Sequence, residues 1–491
     1  MQTIKPSSAS SALRSIGRRS SHTAATTRRL STTSSLQSPS RTLLLTSTNL
    51  LRSATHPARL QNPNIARQAP ASNQTRNASS SSSSEPLAKT PLYNLHLAHG
   101  GKMVPFGGFH MPVQYTGLSV SQSHAFTREH SSIFDVSHMV QRIFTGPGAA
   151  AFLQRVTPSS LETLPPHKST LSVLLQADGS GGIVDDTIVT RLPDRSGDGG
   201  NRFYVVTNAG CREKDDKYFE EELAKWDGES VSQEQLDGWG LVALQGPEAE
   251  AVLHRALDNP SELDLKTLYF GQSGFAQLKL KGMRVSSPLL ISRGGYTGED
   301  GFEISIPKEE TVDVTEALLA AGPEKVQLAG LGARDSLRLE AGMCLYGHDL
   351  NDTTTPVQGG LSWVIPKERR SADAGYYGSE AISAQLTPKS KGGSGVPSRR
   401  VGLIVEGAPA REGAEIVSVP KDGGEPVKLG AVTSGCPSPT LGKNIAMGYV
   451  KDGYHKAGTE LQVLVRGRPR KAVVTKMPFV PTKYWKGAAP A

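Results

Sequence analysis

The sequence predicts a multi-domain α+β protein whose chain ends in a small all-β barrel. Before residue 390, strand-like and helix-like segments alternate. A strand at 240–244 leads into a helix that ends at Leu257, with Pro247 expected in its first turn. After residue 398 we find short β-rich runs separated by turn residues, at 401–405, 415–419, 428–433, 446–450, 460–465 and 472–476. Short strands at such intervals are typical of a small barrel.

Composition divides the chain into three parts. Residues 1–87 differ from everything that follows, and their removal leaves a chain long enough for two or three domains of about 100 to 200 residues each. The segment KSKGGSGVPS at 389–398 has the Gly, Ser and Pro content of a linker. We therefore predict a folded α+β region at 88–390 and a barrel domain at 398–491.

The first part has the composition of a mitochondrial presequence. Residues 1–84 hold eleven basic residues and no acidic one, and they are rich in Ser, Thr and Ala. A disordered basic tail would have a similar composition. The apolar run at 43–45 is far shorter than the roughly 20 residues that span a bilayer, and no later run is long enough, so no membrane span is expected.

The net charge of +8 does not indicate nucleic-acid binding. Beyond residue 84 the chain keeps 43 of its 54 basic residues against all 46 acidic ones, so the part expected to fold is slightly acidic. A basic face for phosphates is therefore not predicted.

A strand and two helices are predicted in the middle of the chain. Side chains alternate between faces of a strand, so Phe302, Ile304 and Ile306 are expected on an apolar face and Glu303 on the other. An amphipathic helix is predicted at 311–321, and a second helix carries two arginines four residues apart.

These residues suggest a binding site for an amidine-bearing ring with an acidic tail. The carboxylate of Glu303 can accept two parallel hydrogen bonds from a pterin edge, and Arg334 and Arg338, on one helical face, suit a carboxylate such as a folate glutamyl tail. A different interpretation is that Glu303 is a solvated strand residue and the arginines pair with Asp335 or Glu340.

The chain resembles the aminomethyltransferase (T-protein) family of the glycine cleavage system from residue 90 to residue 484. Ten blocks carry the resemblance: TPLY at 90–93, HLAHGGKM at 96–103, FDVSHM at 134–139, GGIVDD at 181–186, VVTNAGC at 205–211, ALQGP at 243–247, SRGGYTGEDGFEIS at 292–305, GLGARDSLRLEAG at 330–342, TSGCPSP at 433–439 and KMPFVPT at 476–482.

The resemblance implies a three-domain fold with folate in a central channel, in which residues 88–390 form two interleaved α+β domains. It implies transfer of the methylene carbon of an S-aminomethyl-dihydrolipoyl carrier protein, the H-protein, to tetrahydrofolate. The products are 5,10-methylenetetrahydrofolate, ammonia and the dihydrolipoyl carrier, and the setting is the mitochondrial matrix. The site residues it implies are Asp186 as the catalytic aspartate and, around folate, Glu303, Arg334, Asn208, Tyr296, Arg400 and Tyr484.

Only one of two adjacent aspartates is expected to act on the substrate. Asp185 and Asp186 follow a Gly-Gly turn and precede an apolar strand, and neighbouring strand residues point to opposite faces. They are therefore not expected to share a proton on one substrate. The resemblance assigns the chemistry to Asp186 and leaves Asp185 a structural or orienting role.

Neither a metal nor a flavin is expected. Cys211, Cys344 and Cys436 are too few and too far apart for a zinc cluster or a disulfide framework, and isolated cysteines are usually buried apolar residues. The GPGAAA run at 146–151 matches a dinucleotide fingerprint only in isolation, without a complete βαβ unit.

Three other functions stay open at this point. A folate-binding iron–sulfur assembly factor would carry a Lys-Gly-Cys-Tyr-x-Gly-Gln run, whereas this chain has GYTGE at 295–299. A demethylating flavoprotein would need a Rossmann unit that the first 87 residues do not supply. A silent subunit is the third: Asn94 and Phe109 stand where the family often has Asp and Trp, and a Gly/Asp-rich insertion occupies 193–201.

Overall fold

The computed structural model describes residues 86–195, 201–420 and 424–487. The presequence predicted at 1–87 lies outside the described residues except for its last two positions, and part of the insertion at 193–201 lies outside them too.

Helices and strands alternate in the described residues between 88 and 390. The helices are α1 Tyr93–Ala98, α2 Val120–Glu129, α3 Ala149–Val156, α4 Arg212–Ala224, α5 Ala249–Ala256, α6 Thr311–Ala320, α7 Leu331–Glu340 and α8 Ser379–Leu386. The strands before the barrel are β1 Ala88–Lys89, β2 Gly101–Phe106, β3 Phe109–Tyr115, β4 Ser131–Asp135, β5 Val140–Thr145, β6 Ser169–Leu175, β7 Ile183–Arg191, β8 Arg202–Thr207, β9 Ser232–Gln235, β10 Gly240–Gln245, β11 Gln272–Ala276, β12 Lys279–Leu280, β13 Arg284–Val285, β14 Leu289–Arg293, β15 Gly301–Ile306 and β16 Val326–Ala329.

Two β-sheets carry candidate site residues. A six-stranded sheet has the order β11-β14-β15-β10-β4-β16, in which only the β16–β4 pair is parallel. A five-stranded antiparallel sheet has the order β6-β7-β8-β5-β9. Helices α3 and α4 contribute Phe152 and Phe219 to the apolar cluster that includes Phe144 and Phe203 of the five-stranded sheet.

The six-stranded sheet buries both of its faces. On one face Phe302, Ile304 and Ile306 join the core formed with α5 and α6, as the alternation predicted. On the other face lies a second apolar cluster, to which both sheets and α7 contribute: Phe134, Ile143, Tyr204, Val206, Leu241, Ala243, Leu290 and Leu337. Glu303 points away from the first core, but the face it occupies is covered by protein.

The C-terminal part is a closed barrel, which confirms the predicted fold class. Its strands are β17 Ser398–Val405, β18 Glu415–Ser418, β19 Lys428–Ser438, β20 Lys443–Lys451, β21 Glu460–Val465 and β22 Arg468–Thr475. They close in the order β17-β20-β19-β18-β21-β22. Each of the six predicted runs corresponds to one strand, and β19 and β20 extend further towards each other because they form a hairpin that ends at Ser438 and Lys443.

Helix α7 joins the α+β region to the barrel. Its last residue, Glu340, accepts a hydrogen bond from Thr440 Oγ1 at 2.8 Å and another from Arg128 of α2 at 2.8 Å. The backbone N–H groups of Phe479 and Val480 donate to the Glu340 carbonyl at 2.8 and 3.0 Å. These contacts fix the orientation of the helix that carries Arg334.

Two local boundaries differ from prediction. Helix α5 begins at Ala249, so Pro247 lies in the turn before the helix. The segment predicted as a linker contains a short 3-10 turn, Lys389–Lys391, before β17 begins at Ser398. Within the described ranges, no helix combines the length and apolar character that a membrane span requires.

Candidate active site

Asp186 lies on β7 directly after a β-bulge. The pairing of β6 with β7 shifts register between Leu174 and Leu175, which leaves Val184 as an extra residue in β7. A bulge bends a strand and re-aims the side chains next to it. Asp185 and Asp186 follow this extra residue, so simple alternation does not describe their directions.

The glycine pair before the bulge is required by the backbone. Gly181 has a φ of +74°, in the left-handed region that favours glycine. A Cβ on Gly182 would lie 1.9 Å from the carbonyl oxygen of Asp352, so no other residue fits this close approach. The Gly-Gly turn therefore positions the start of the strand that carries Asp186.

Asn208 lies opposite Asp186 and binds both aspartates. Its side-chain Nδ2 donates to Asp186 Oδ1 at 2.9 Å and to Asp185 Oδ1 at 2.8 Å. Its backbone N–H donates to Asp185 Oδ2 at 2.8 Å. The prediction that the neighbouring carboxylates point apart is therefore incomplete, because one amide reaches both of them.

The environment of Asp186 favours its neutral form. Burial, together with the charge of Asp185, raises the pKa of Asp186 to about 7, although the hydrogen bond from Asn208 acts in the opposite direction. A carboxyl group with a pKa near neutrality can both hold and release a proton under physiological conditions. This property marks Asp186 as a candidate for chemistry.

Tyr296 contacts Arg334 and is influenced by the charge of Asp186. The guanidinium carbon of Arg334 is 4.9 Å from the centre of the Tyr296 ring, a cation–π contact. The Tyr296 hydroxyl donates a hydrogen bond to the carbonyl of Cys344. Burial raises the pKa of Tyr296, and the negative charge of Asp186 contributes to the rise, so both charged residues act on this one side chain.

Glu303 lies between two small residues in the sheet. It pairs with Ala243 of β10 on one side and with Ser292 of β14 on the other. Burial raises the pKa of Glu303, and the positive charge of Arg334 opposes that rise. Glu303 is nevertheless the one partly exposed residue of β15, whose other five residues are buried, so the interpretation of Glu303 as a solvated strand residue stays open.

Arg334 has one hydrogen-bond donor that no described group accepts from. Its Nη1 is buried and has no hydrogen-bond partner among the described residues. Burial lowers the pKa of Arg334, while Glu303 and Tyr296 favour its charged form. A buried donor without a partner is unfavourable, so a ligand that offers an acceptor here would be stabilised.

Arg338 differs from Arg334 although both lie on α7. Its guanidinium donates to Asp335 Oδ1 at 2.9 Å, to Asp349 Oδ2 at 2.7 Å and to Ser434 Oγ at 3.0 Å. The expectation that the two arginines bind one carboxylate ligand is not supported. Pairing of Arg338 with Asp335, the alternative interpretation, is confirmed.

Arg400 lies on the first barrel strand and contacts the loops that precede the barrel. It donates from Nε to the carbonyl of Gly359 at 2.7 Å and from Nη1 to the carbonyl of Gly342 at 3.0 Å. Its charge, together with that of Asp186, acts on the thiol of Cys344. Arg400 therefore lies at the edge of the Asp186 cluster, with two of its donors bound to backbone carbonyls.

Tyr484 has a different set of neighbours. Its ring stacks on Phe270 with centroids 4.1 Å apart, and its hydroxyl is buried with no partner in the described ranges. Burial raises the pKa of Tyr484 to about 12, and the nearby charges are those of Arg128 and Glu299. Lys483, Trp485 and Glu299 line a cavity of about 690 Å³. The described contacts therefore connect Tyr484 to this cavity and not to Glu303.

A buried acidic group lies behind Asn208. Cys211 Sγ and one carboxylate oxygen each of Asp185 and Asp215 lie within 4.8 Å of one another. All three cysteines of the chain are free and buried, as expected for isolated cysteines. The three ligand atoms are one fewer than the four of a structural zinc site.

Sequence reasoning did not identify Asp215, Cys344 or Asp349 as parts of this region. Cys211 and Asp215 are four residues apart at the start of α4, a spacing that places two side chains on one helical face. That spacing was the available signal for Asp215. The other two lie in irregular segments, where sequence periodicity gives no direction.

Family comparisons match both folded parts of the chain. Residues 92–369 match the GCVT N-terminal domain, and residues 399–481 match the glycine cleavage T-protein C-terminal barrel domain. A probable mitochondrial aminomethyltransferase from Schizosaccharomyces pombe is 49% identical over 408 residues, which cover 83% of this chain and 97% of that protein. A mitochondrial aminomethyltransferase from Mesembryanthemum crystallinum is 47% identical over 402 residues, which cover 82% of this chain and 91% of the relative.

A solved structure supports the same fold. The crystal structure of glycine cleavage system aminomethyltransferase T from Bartonella henselae is 37% identical, with a TM-score of 0.70 over 82% of this chain and 100% of that one. The resemblance first seen in short blocks thus extends over both domains. The chain belongs to the aminomethyltransferase (T-protein) family of the glycine cleavage system.

Proposed function

We propose that the cluster around Asp186 is the site at which this aminomethyltransferase transfers a methylene carbon from an S-aminomethyl-dihydrolipoyl carrier protein to tetrahydrofolate. The observation that carries the proposal is a carboxyl group whose pKa is raised to about 7 and which accepts a hydrogen bond from Asn208. The products are 5,10-methylenetetrahydrofolate, ammonia and the dihydrolipoyl carrier.

In this proposal Asp186 is the catalytic residue. Its ionised form stabilises positive charge that develops on the carbon being transferred, and it accepts a proton from the attacking amine. The raised pKa makes the carboxylate a stronger base than an exposed aspartate while leaving much of it ionised at pH 7 and above. Asn208 fixes the direction of the carboxylate, which reduces the reorganisation needed during reaction.

Glu303 and Arg334 would hold the folate. The residues fit such a ligand: Glu303 offers a carboxylate beside small neighbours, and Arg334 offers a buried Nη1 that lacks a partner. We assign Glu303 to the amidine edge of the pterin and Arg334 to an acceptor group of the same molecule. Tyr296 supplies a flat face beside Arg334.

Arg400 and Tyr484 complete the proposed folate site at its periphery. Arg400 positions the loops at Gly342 and Gly359 through their carbonyls. Tyr484 retains an unpartnered hydroxyl, which suits a contact with a more distant part of the ligand.

The partner that the family implies is a lipoyl-bearing carrier protein, and we propose that it is the H-protein. The related proteins are named mitochondrial, and we propose the matrix as the compartment. Tetrahydrofolate enters as a co-substrate, and the proposed chemistry routes no step through a metal ion or a flavin.

The experiment is formation of methylenetetrahydrofolate by the purified chain, given tetrahydrofolate and aminomethyl-loaded lipoyl carrier. Matched reactions omit one component or use unloaded carrier. Product that requires both substrates is the expected result. Tetrahydrofolate binding without product would instead indicate a silent relative.

A further inference from the structure

Two buried carboxyl groups behind Asn208 are bound very differently. Both oxygens of Asp185 accept hydrogen bonds from Asn208, at 2.8 Å each. The carboxyl groups of Asp185 and Asp215 are both buried. Neither oxygen of Asp215 has a hydrogen-bond partner among the described residues. One carboxylate oxygen of Asp215 lies within 4.8 Å of a carboxylate oxygen of Asp185 and of Cys211 Sγ.

Nearby cations do not bind Asp215 directly. Arg142 of β5 donates from Nη1 to Thr207 Oγ1 at 2.7 Å, and its Nη2 binds Asp216. Lys214 donates to Tyr346 at 2.7 Å and to Asp352 at 3.0 Å. Several charged and titratable groups act on Asp185 and Asp215. They are Arg142 from β5; Cys211, Lys214 and Tyr218 from the start of α4; Tyr346 from the loop after α7; and Asp186 from β7.

One proton satisfies this arrangement better than two ionised carboxylates do. Two like charges side by side in a buried site repel each other, and such a pair usually retains a proton. Burial raises the pKa of Asp215 to about 6 and raises the pKa of Asp185 well above its usual value. A shared proton also gives Asp215 the partner that it otherwise lacks.

A divalent cation fits less well. The group offers three ligand atoms, and both oxygens of Asp185 already accept hydrogen bonds from Asn208. The positive charges of Arg142 and Lys214 act on Asp215 from two sides and would repel a second cation. A proton needs neither more ligands nor more space.

We propose that Asp185 and Asp215 share one proton and act together as positioning residues for Asp186. The inference rests on the proposed function, in which Asp186 is the reacting carboxylate. With the proton between them, Asp185 keeps both oxygens available to Asn208, whose Nδ2 then stays directed at Asp186 Oδ1. Without the proton, repulsion would separate the pair and release Asn208.

Infrared spectroscopy of the full-length chain tests the shared proton without using activity. At pH 8, above the pKa of Asp186, we expect a carbonyl stretch of a neutral carboxylic acid that shifts in D2O. Asp215→Asn should remove this band, because the amide N–H replaces the proton and leaves Asp185 ionised. Asp186→Asn should keep the band, and Glu303→Gln, which removes another carboxyl group, is the matched control that should also keep it.

Turnover tests the positioning role. Asp215→Ala removes the partner of Asp185, so kcat should fall about tenfold, the scale of one lost hydrogen bond, with little change in KM for tetrahydrofolate. Asp215→Asn should recover most of the lost kcat because it restores a hydrogen-bond donor. A purely structural role would instead lower stability in both variants and leave the kcat of the folded fraction unchanged.

Three results would overturn the proposal. The first is an unchanged acid band in Asp215→Asn, the second is kcat equal to the parent's in Asp215→Ala, and the third is one equivalent of divalent metal that co-purifies with the parent and is lost in Asp215→Asn. Failure of the proposed function is distinguishable: the parent would then form no methylenetetrahydrofolate, or Asp186→Asn would retain the parent's turnover, and the infrared band depends on neither result.

Discussion

The side-chain amide of Asn208 donates a hydrogen bond to Asp186 Oδ1 at 2.9 Å. The same nitrogen lies 2.8 Å from Asp185 Oδ1, so one amide bridges two consecutive residues of β7. This bridge opposes the rise in the pKa of Asp186 that burial and the charge of Asp185 cause. Asn208 therefore orients the Asp186 carboxylate and limits the rise in its pKa that burial and Asp185 cause.

Activity should rise with pH through about 7. The proposed role requires ionised Asp186, whose pKa is raised to about 7, so turnover should be low below this value and reach a plateau above it. Replacing Asn208 by Ala removes the hydrogen bond that lowers this pKa, so the midpoint should move to higher pH. A pH series of kcat for both proteins measures the shift. A midpoint that moves to lower pH in Asn208→Ala would contradict the assignment.

Glu303→Ala should weaken tetrahydrofolate binding by about 2 to 3 kcal/mol, because charge-assisted hydrogen bonds in a buried site are lost. Isothermal titration measures the affinity. Glu309→Ala is the matched control, since Glu309 is an exposed carboxylate three residues beyond β15 and should bind as the parent does. Equal affinity of the Glu303 variant and the parent would remove Glu303 from the pterin site.

Arg334→Met should reduce tetrahydrofolate affinity about tenfold to a hundredfold without a large loss of stability. Hydrogen bonds to a charged group contribute about 1.5 to 3 kcal/mol, and Nη1 of Arg334 has no protein partner to lose. The measurements are ligand titration and thermal unfolding of the same sample. Unchanged affinity with a lower melting temperature would indicate a structural arginine instead.

Arg338 should behave in the opposite way to Arg334. Asp349→Ala leaves the buried guanidinium of Arg338 without its fully buried partner, which should cost about 3 to 5 kcal/mol of unfolding free energy. Because exposed Asp335 remains as a second partner of Arg338, we expect a loss in the lower part of this range. Denaturant unfolding measures the loss, and Asp349→Ala combined with Arg338→Met should recover part of it. A loss below 1 kcal/mol would mean that the pair does not hold α7 to its neighbours.

Regular elements were predictable because their side chains repeat with a fixed period. Alternation placed Phe302, Ile304 and Ile306 on one face of β15, where the structure has them, and the six barrel strands were found from runs of the same kind. The start of α5 was less predictable. Pro247 suits the first turn of a helix and also the turn just before one, and only the backbone conformation distinguishes the two.

The details of the site depend on contacts between residues far apart in the sequence. The bulge at Val184 comes from the pairing of β7 with β6, and no pattern in the neighbouring sequence predicts it. Helical spacing places Arg334 and Arg338 on one face equally well, but Asp349 binds only the second. The environment of Asp215, which lies on α4, likewise depends on Asp185, which lies on β7. Local sequence patterns therefore found the candidate residues without their partners.

The measurement that tests the role of Asp186 most directly is methylenetetrahydrofolate formation by Asp186→Asn beside the parent chain, with tetrahydrofolate and aminomethyl-loaded lipoyl carrier supplied to both. We expect turnover to fall by about 10² to 10⁴, the scale for losing a positioned acid or base, while tetrahydrofolate affinity stays close to that of the parent. Turnover equal to the parent's, or a loss explained entirely by weaker folate binding, would contradict a catalytic role for Asp186.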